Sequence, residues 1–461
     1  MYHFFHSFPK KKSLNLKSKI KAHHVHFLFS LNQLISSPQK PIRQSHALCA
    51  GEQEYVDRRK RVVLESINSL EINCTADSVP HIALLASGGG QRAAVGLVGS
   101  LYQMEKDGLL DTLLYLGGVS GSTWSMSSLY SDPQWCTNMD TAVSKLSGPG
   151  VGLEQALAWL DERAKEELFS LTDIWGVLTS AGIMKQMDLR RLSDEASRNA
   201  TNPYPIYSAI EKQCFSNGPI EGKWFEVSPH EAGFTEIGLF VKTSLLGSKF
   251  QRGELLEEKP EMDMVKLQGW FSLLTKHIIP LIMKWEWGTT RNFLYQYQDF
   301  PIPPCLRCQE RFHLVDAGML INVAYPPFLG DKRDIDLIIA PEYSAGNMFE
   351  ALDYAAEVNK PFPEIDDKIL EERDWPKDCY VFEGNEKAPT IIYMPLFNRQ
   401  NCKGLLHTLR QNCSEFSTFQ RPFSQEKIMF VLETVKANMK NNKETLLRAI
   451  NNAVVRRQNK R

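Results

Sequence analysis

Two glycine-bearing loops, about thirty residues apart, hold the residue types that acyl transfer needs. The second reads Gly117-Gly118-Val119-Ser120-Gly121-Ser122-Thr123-Trp124. It follows the short apolar run Leu113-Leu114-Tyr115-Leu116 and precedes a helix-like stretch from Ser122 to Tyr130. A serine at a tight strand-to-helix turn has a strained backbone and an exposed hydroxyl, the disposition of a nucleophile. Gly118 and Gly121 suit such a turn, because a Cβ there would crowd it. The pattern departs from G-x-S-x-G at position 122, which is serine. An ordinary Gly/Ser turn has the same composition.

The first loop is Ser87-Gly88-Gly89-Gly90-Gln91-Arg92, after the buried-strand run His81-Ile82-Ala83-Leu84-Leu85-Ala86. From Ala93 to Met104 the apolar residues Val95, Leu97, Val98, Leu101 and Met104 recur at helical spacing. Glycines at the start of a helix leave N–H groups free to face an anion. Such groups bind phosphates or stabilise an oxyanion. The third glycine of a dinucleotide fingerprint is missing, since residue 93 is Ala, and no Gly-Lys-Ser/Thr follows to make a P-loop. Alone, three glycines also fit a plain turn; with Ser120 one β-α unit later, the oxyanion reading is the better one. A third segment, Phe312-His313-Leu314-Val315-Asp316-Ala317-Gly318, ends an apolar run on a carboxylate. Strand C-termini form the ligand edge of α/β sheets, although a lone Asp-x-Gly is commonly a turn or a helix cap.

The elements that must position these groups are β-α units, which indicates an α/β fold. The S-G-G-G-x-R loop, the G-V-S-G-S-T-W turn and the V-D-A-G segment, in this order, resemble the cytosolic phospholipases A2, most nearly the gamma type without a calcium-binding C2 domain. Further matching stretches are Ser170-Leu171-Thr172-Asp173, Pro203-Tyr204-Pro205-Ile206, Trp285-Glu286-Trp287-Gly288-Thr289-Thr290, Asp336-Leu337-Ile338-Ile339 and Met394-Pro395-Leu396-Phe397-Asn398. The similarity runs from roughly Glu54 to about Ala449.

The resemblance implies a three-layer patatin-like α/β catalytic domain with a helical cap. It implies a Ser-Asp dyad on Ser120 and Asp316, and an oxyanion hole from Gly89 and Gly90 with Gly88 adjoining. Arg92 and Arg333 fall at the positions of phosphate-binding arginines, although Asp331-Lys332-Arg333-Asp334 also reads as a charged turn. The implied reaction is hydrolysis of acyl esters of glycerophospholipids at a phospholipid membrane surface. It is calcium-independent and passes through an acyl-serine, with no cofactor and no metal. Asp316 has a reference pKa near 3.9, so a short, partly desolvated Ser120–Asp316 hydrogen bond is expected. The alternatives are a Ser-His-Asp esterase or thioesterase, with His407 as third member, and a lipid-binding pseudoenzyme.

The 461 residues suggest one catalytic domain over 51–461, with a helix-rich cap over about 133–300 and a basic, disordered segment over 1–50. That segment has Lys10, Lys11, Lys12, Lys17, Lys19 and Lys21, with no acid before Glu52. Its apolar stretch, Val25 to Ile35, is too short to span a membrane. A net charge of −1 argues against a nucleic-acid partner. The expected location is cytoplasmic and peripherally membrane-associated, without the terminal cysteine that prenylation would need. The nine cysteines show no zinc spacing and read as free thiols. The sequons at Asn73, Asn199 and Asn412 are discounted for a cytosolic chain. Gln268 to Trp287, divided at Pro280, reads as a buried cap helix or a lipid-facing lid, and the basic C-terminal helix bearing Lys436, Lys440, Lys443, Arg448, Arg456 and Arg457 reads as a solvated face or a contact for anionic headgroups.

Overall fold

The glycine-ended apolar runs become neighbouring strands at the centre of a sheet. In the computed structural model, which describes residues 40–270, 288–344, 349–417 and 422–460, the strands in chain order are β1 (Ile42–Gln44), β2 (Ile82–Ala86), β3 (Tyr115–Gly118), β4 (Tyr204–Glu211), β5 (Trp224–Val227), β6 (Glu231–Phe234), β7 (Leu239–Lys242), β8 (Lys249–Gln251), β9 (Glu254–Glu257), β10 (Thr289–Arg291), β11 (Arg311–Asp316), β12 (Leu337–Glu342), β13 (Tyr380–Phe382) and β14 (Thr390–Pro395). Twelve form one sheet, in the order β1-β7-β6-β5-β4-β3-β2-β12-β14-β13, with β11 on β4 and β10 on β11; β8 and β9 pair separately.

The five central strands, β14, β12, β2, β3 and β4, run parallel. All residues of β2 and β12 are buried, as strands covered on both faces must be, and this is why they read as unbroken apolar runs. Helix Gln91–Lys106 links β2 to β3, and helix Gly121–Leu129 follows β3 directly. From β2 the chain moves towards β4; from β12 it moves the opposite way, to β14. The sheet's switch point therefore lies between β2 and β12, where α/β sheets open a crevice at their C-terminal edge. Helix Gln91–Lys106 packs against helix Gln425–Asn441, with Gly99 in contact with Leu432 and Val435.

The architecture is the expected three-layer α/β one, but 133–300 is not a helical insertion throughout. Its helices are concentrated in 139–183. The stretch 204–242 supplies β4 to β7 of the central sheet, because its residues are buried on both faces and alternate with tight turns. The apolar stretch from Gln268 enters helix Met264–Trp270 and is buried there; the rest of it, with Pro280 and Trp285, lies outside the described residues, as does 1–39. Two C-terminal cations face inward. Arg457 bonds Asp336 (2.7 Å) and Arg456 bonds the Asp336 carbonyl, so neither is a free headgroup contact.

The cysteines also depart from expectation. Cys214, on helix Lys212–Asn217, is bridged to Cys305, on the short helix Pro304–Arg307, with 5.5 Å between their Cα atoms. Ninety-one residues separate the pair, so no local spacing announced it. The other seven cysteines are free.

Candidate active site

Ser120 is the residue just before helix Gly121–Leu129 and has φ 55° and ψ −126°. A non-glycine residue there stores on the order of 1–3 kcal/mol of backbone strain. The surroundings hold it in place. A Cβ on Gly121 would come within 1.9 Å of the Gly90 carbonyl oxygen, so this position must be glycine for the two loops to touch. Ser122, the departure from G-x-S-x-G, staples the turn. Its hydroxyl donates towards the Val119 and Ala86 carbonyls (2.8 and 3.1 Å) and accepts from the Val119 N–H (2.9 Å). The close-approach role falls to Gly121, and the hydroxyl of Ser122 ties the ends of β2 and β3 together. Ser120 itself is only 7% exposed, and its hydroxyl makes no hydrogen bond among the described residues.

The glycine loop ends at Gly90, with φ 60° and ψ −138°, nearly the conformation of Ser120 one unit later. The N–H groups of Gly89 and Gly90 find no acceptor among the described residues. That of Gly88 does: it donates to the Asn322 carbonyl at 2.8 Å. Gly88 is thus a close-packing residue, and Gly89 and Gly90 carry the free donors. A Cβ on Gly88 would stand 3.1 Å from both the Ser120 Cβ and Asn322 Oδ1.

Asp316 arrives by sheet register. β3 lies along β4 as far as Gly118 opposite Tyr207. β11 runs antiparallel along β4, with Asp316 opposite Ala209. Since β5 occupies the other side of β4 at Ala209 and Ile210, β3 and β11 share one side and meet end to end. Their pairings lie two residues apart on β4, with Ser208 between, about 6.6 Å of strand. A Cβ on Gly318, just past Asp316, would meet the same Val119 Cγ1 and Asn322 Oδ1 as one on Gly88 would. Asp316 is 2% exposed and accepts the Gly318 N–H at 2.8 Å. Ser120 and Asp316 are not hydrogen-bonded to one another, so the expected short bond is not formed.

Arg92 is 4% exposed. Its Nε donates to the Tyr343 carbonyl and its Nη1 to the Phe416 carbonyl (2.9 Å), while Nη2 has no partner among the described residues. Burial lowers its pKa. A Cβ on Gly89 would lie 2.9 Å from that same Tyr343 oxygen, so Arg92 also fixes the wall against which the glycine loop rests. Arg333 is a different case. It is wholly buried, bonded to Glu52 (2.8 and 3.1 Å), Glu226 (2.9 and 3.2 Å) and the Pro327 carbonyl (2.7 Å). Desolvation alone would lower its pKa, but the two carboxylates raise it well above the ordinary arginine value. Its side chain is spent on structure, so the phosphate-binding reading of Arg333 is withdrawn. His407 is exposed on helix Leu406–Glu415 and is hydrogen-bonded to neither Ser120 nor Asp316, which removes support from the Ser-His-Asp alternative. Sequence reasoning missed Asn322, Glu342 and Tyr343. Glu342 and Tyr343 end β12, as Gly88 follows β2, and the strand-end rule that flagged the glycines would have found them. Asn322 had no signal.

The chain is similar to known proteins at this site and beyond it. Residues 82–147 and 160–273 match the family described as the lysophospholipase catalytic domain. Human cytosolic phospholipase A2 gamma is 28% identical over 516 residues, covering 87% of this chain and 94% of that protein. Mouse cytosolic phospholipase A2 zeta is 28% identical over 545 residues, covering 92% of this chain and 63% of that protein. The solved structure of human GIVD cytosolic phospholipase A2 with methyl gamma-linolenyl fluorophosphonate superposes with a TM-score of 0.72 at 26% identity, covering 91% of this chain and 66% of that one.

Proposed function

We propose, from the chain's similarity to the cytosolic phospholipases A2, that it hydrolyses acyl esters of glycerophospholipids with Ser120 as nucleophile and Asp316 as base. One observation carries the reading: on touching turns, the hydroxyl of a strained serine and the N–H groups of Gly89 and Gly90 have no partners among the described residues, and a buried carboxylate arrives from the opposing strand end. Asp316 takes the Ser120 proton as the hydroxyl attacks the ester carbonyl. The oxyanion is held by the Gly89 and Gly90 N–H groups, each worth on the order of 3 kcal/mol. The lysophospholipid leaves with a proton, and an acyl-serine remains. Water, deprotonated by Asp316, then releases the fatty acid. No step calls for a metal, so the reaction is calcium-independent. The substrate is met at a membrane surface, with the protein bound peripherally from the cytoplasm.

The test is labelling with a long-chain fluorophosphonate followed by peptide mapping. The label is expected on Ser120 and on no peptide of the Ser120→Ala protein. A label on another serine would end the proposal.

A further inference from the structure

The bridge to Cys214 takes Cys305 and leaves Cys308, one helical turn further on, as a free thiol. We propose that Cys214, Cys305 and Cys308 form one thiol–disulfide exchange site, in which Cys308 takes Cys305 from Cys214, and that the bond made there sets how firmly Asp316 is held. The link to Asp316 rests on the phospholipase reading; the exchange itself does not.

Local geometry supplies the first argument. The Cys308 N–H donates to the Pro304 carbonyl at 3.0 Å, and Cys308 stays in the right-handed helical region, with φ −86° and ψ −9°. Residues three apart on such a turn have Cα atoms about 5 Å from one another, within the range of a disulfide. Cys305 therefore has two cysteines at bonding range, since the Cys214 Cα is 5.5 Å away. Access sets the direction of attack. Cys214 is fully buried, Cys305 is half-buried and Cys308 is exposed. A thiolate on Cys308 attacks the Cys305 sulfur, because the Cys214 sulfur is closed off. The Cys305–Cys308 bond forms and the Cys214–Cys305 bond breaks. The electron pair leaves on Cys214, which takes up a proton in place of the one Cys308 lost. Nothing is oxidised or reduced overall, and no co-reactant is needed.

The place of the bridge in the fold supplies the second. Cys214 follows the end of β4 at Glu211, and Cys305 precedes the start of β11 at Arg311. Glu211 lies opposite Leu314 in the β4–β11 ladder, and its carboxylate accepts the Cys214 N–H (2.8 Å) and the His313 N–H (3.4 Å). Bridge, carboxylate and ladder thus act as one clamp that closes β11 on β4, and Asp316 is the last residue of β11. Exchange opens that clamp at the bridge. For a protein that works from the cytoplasm, as proposed above, a disulfide is usually transient and redox-sensing. Cys308 is the internal thiol by which such a bridge is opened and remade.

The experiment uses the full chain, purified without reductant. It is held at mildly alkaline pH, where thiolates form, then quenched with acid, alkylated with N-ethylmaleimide and cut with trypsin. Cleavage after Arg307 separates Cys305 from Cys308, so the two bonds give different linked peptides. The wild type should yield both linkages, with Cys214 alkylated in proportion to the Cys305–Cys308 bond. Cys308→Ser should yield Cys214–Cys305 alone, and Cys214→Ser, treated with oxidised glutathione, should yield Cys305–Cys308. A wild-type map without the Cys305–Cys308 linkage would overturn the exchange and leave the phospholipase standing. The link to Asp316 is read from the rate at which a long-chain fluorophosphonate labels Ser120 in bridged, dithiothreitol-reduced and reoxidised wild type. The rate should fall by about tenfold on reduction, the scale of a base displaced by less than an ångström, and return on reoxidation. Equal rates in the bridged and reduced protein would overturn the link. No label on Ser120 in any state would end the phospholipase reading and the link with it, while the linkage map still decides the exchange.

Discussion

In the proposed mechanism Ser120 and Asp316 divide the work at the residue scale, and each can be removed separately. Ser120→Ala and Asp316→Asn are expected to abolish hydrolysis, whereas His407→Ala, at an exposed position, should retain most of it. Steady-state kinetics on folded variants decides. A His407→Ala protein as inactive as Asp316→Asn would restore the triad. Arg92 has a double assignment, and its prediction follows from that. A lysine's donors sit on one nitrogen, so it cannot span the Tyr343 and Phe416 carbonyls as the separate Nε and Nη1 do and still reach a third acceptor. Arg92→Lys should therefore lower turnover of a neutral nitrophenyl ester through the loosened glycine loop, and lower phospholipid turnover further. Equal losses on the two substrates would leave Arg92 only its structural role.

At the scale of elements, the two strand-to-helix turns work as one part. Gly121→Ala would drive a methyl into the Gly90 carbonyl and should cost both activity and stability, read as a lower Tm. Ser122→Ala would leave the Val119 N–H and the Ala86 carbonyl short of partners. A loss of about 1–3 kcal/mol is expected, measured by denaturant unfolding. Much of this was legible in the sequence, because glycines between apolar runs mark strand-to-helix turns and the chemistry sits on those turns. The expected strand at Leu113–Leu116 begins two residues later, at Tyr115, and takes in Gly117 and Gly118. Those glycines pack against Phe328, Leu85 and Met126, which only the tertiary structure brings there. Gly88 and Arg333 were misread for one reason: a motif gives a position on the chain but says nothing of which acceptor or carboxylate will claim its hydrogens. The strands β4 to β7 were hidden because burial on both faces erases the alternation that marks a strand.

β4 carries a titratable group of its own. Burial pushes the Glu211 pKa up to about 7, although the Cys214 and His313 N–H groups, which it accepts at 2.8 and 3.4 Å, act to lower it. For an acid whose folded pKa is raised, the contribution to stability is full below the unfolded value and is lost as pH rises through the folded one. Thermal stability should therefore fall between pH 5 and pH 8, with a shallower fall in Glu211→Gln. An unchanged slope in the variant would assign the dependence elsewhere.

For the whole molecule, the Cys214–Cys305 bridge joins the segment after β4 to the segment before β11. A cross-link of that span is worth typically 2–4 kcal/mol. Cys214→Ser should lower the Tm, and a reducing agent should lower the wild type to match while leaving the variant unmoved. Chelation of calcium should leave hydrolysis of phospholipid vesicles essentially intact; a steep, saturable calcium requirement would contradict the proposed mechanism.

If the proposed mechanism holds, the end-to-end meeting of β3 and β11 also sets when during synthesis the site is completed. Roughly two hundred residues of synthesis separate the nucleophile from its base. The ribosome releases the Ser120 turn first, and domains begin to fold from their N-terminal side during synthesis. A nascent chain with β2, β3 and β4 in place has an oxyanion loop and a serine but nothing to deprotonate it. Only when β11 lies down on the remaining length of β4 does Asp316 reach the site. In the proposed mechanism, truncated or stalled products that end before Arg311 would lack the base, and hydrolysis would wait until translation has passed the acid.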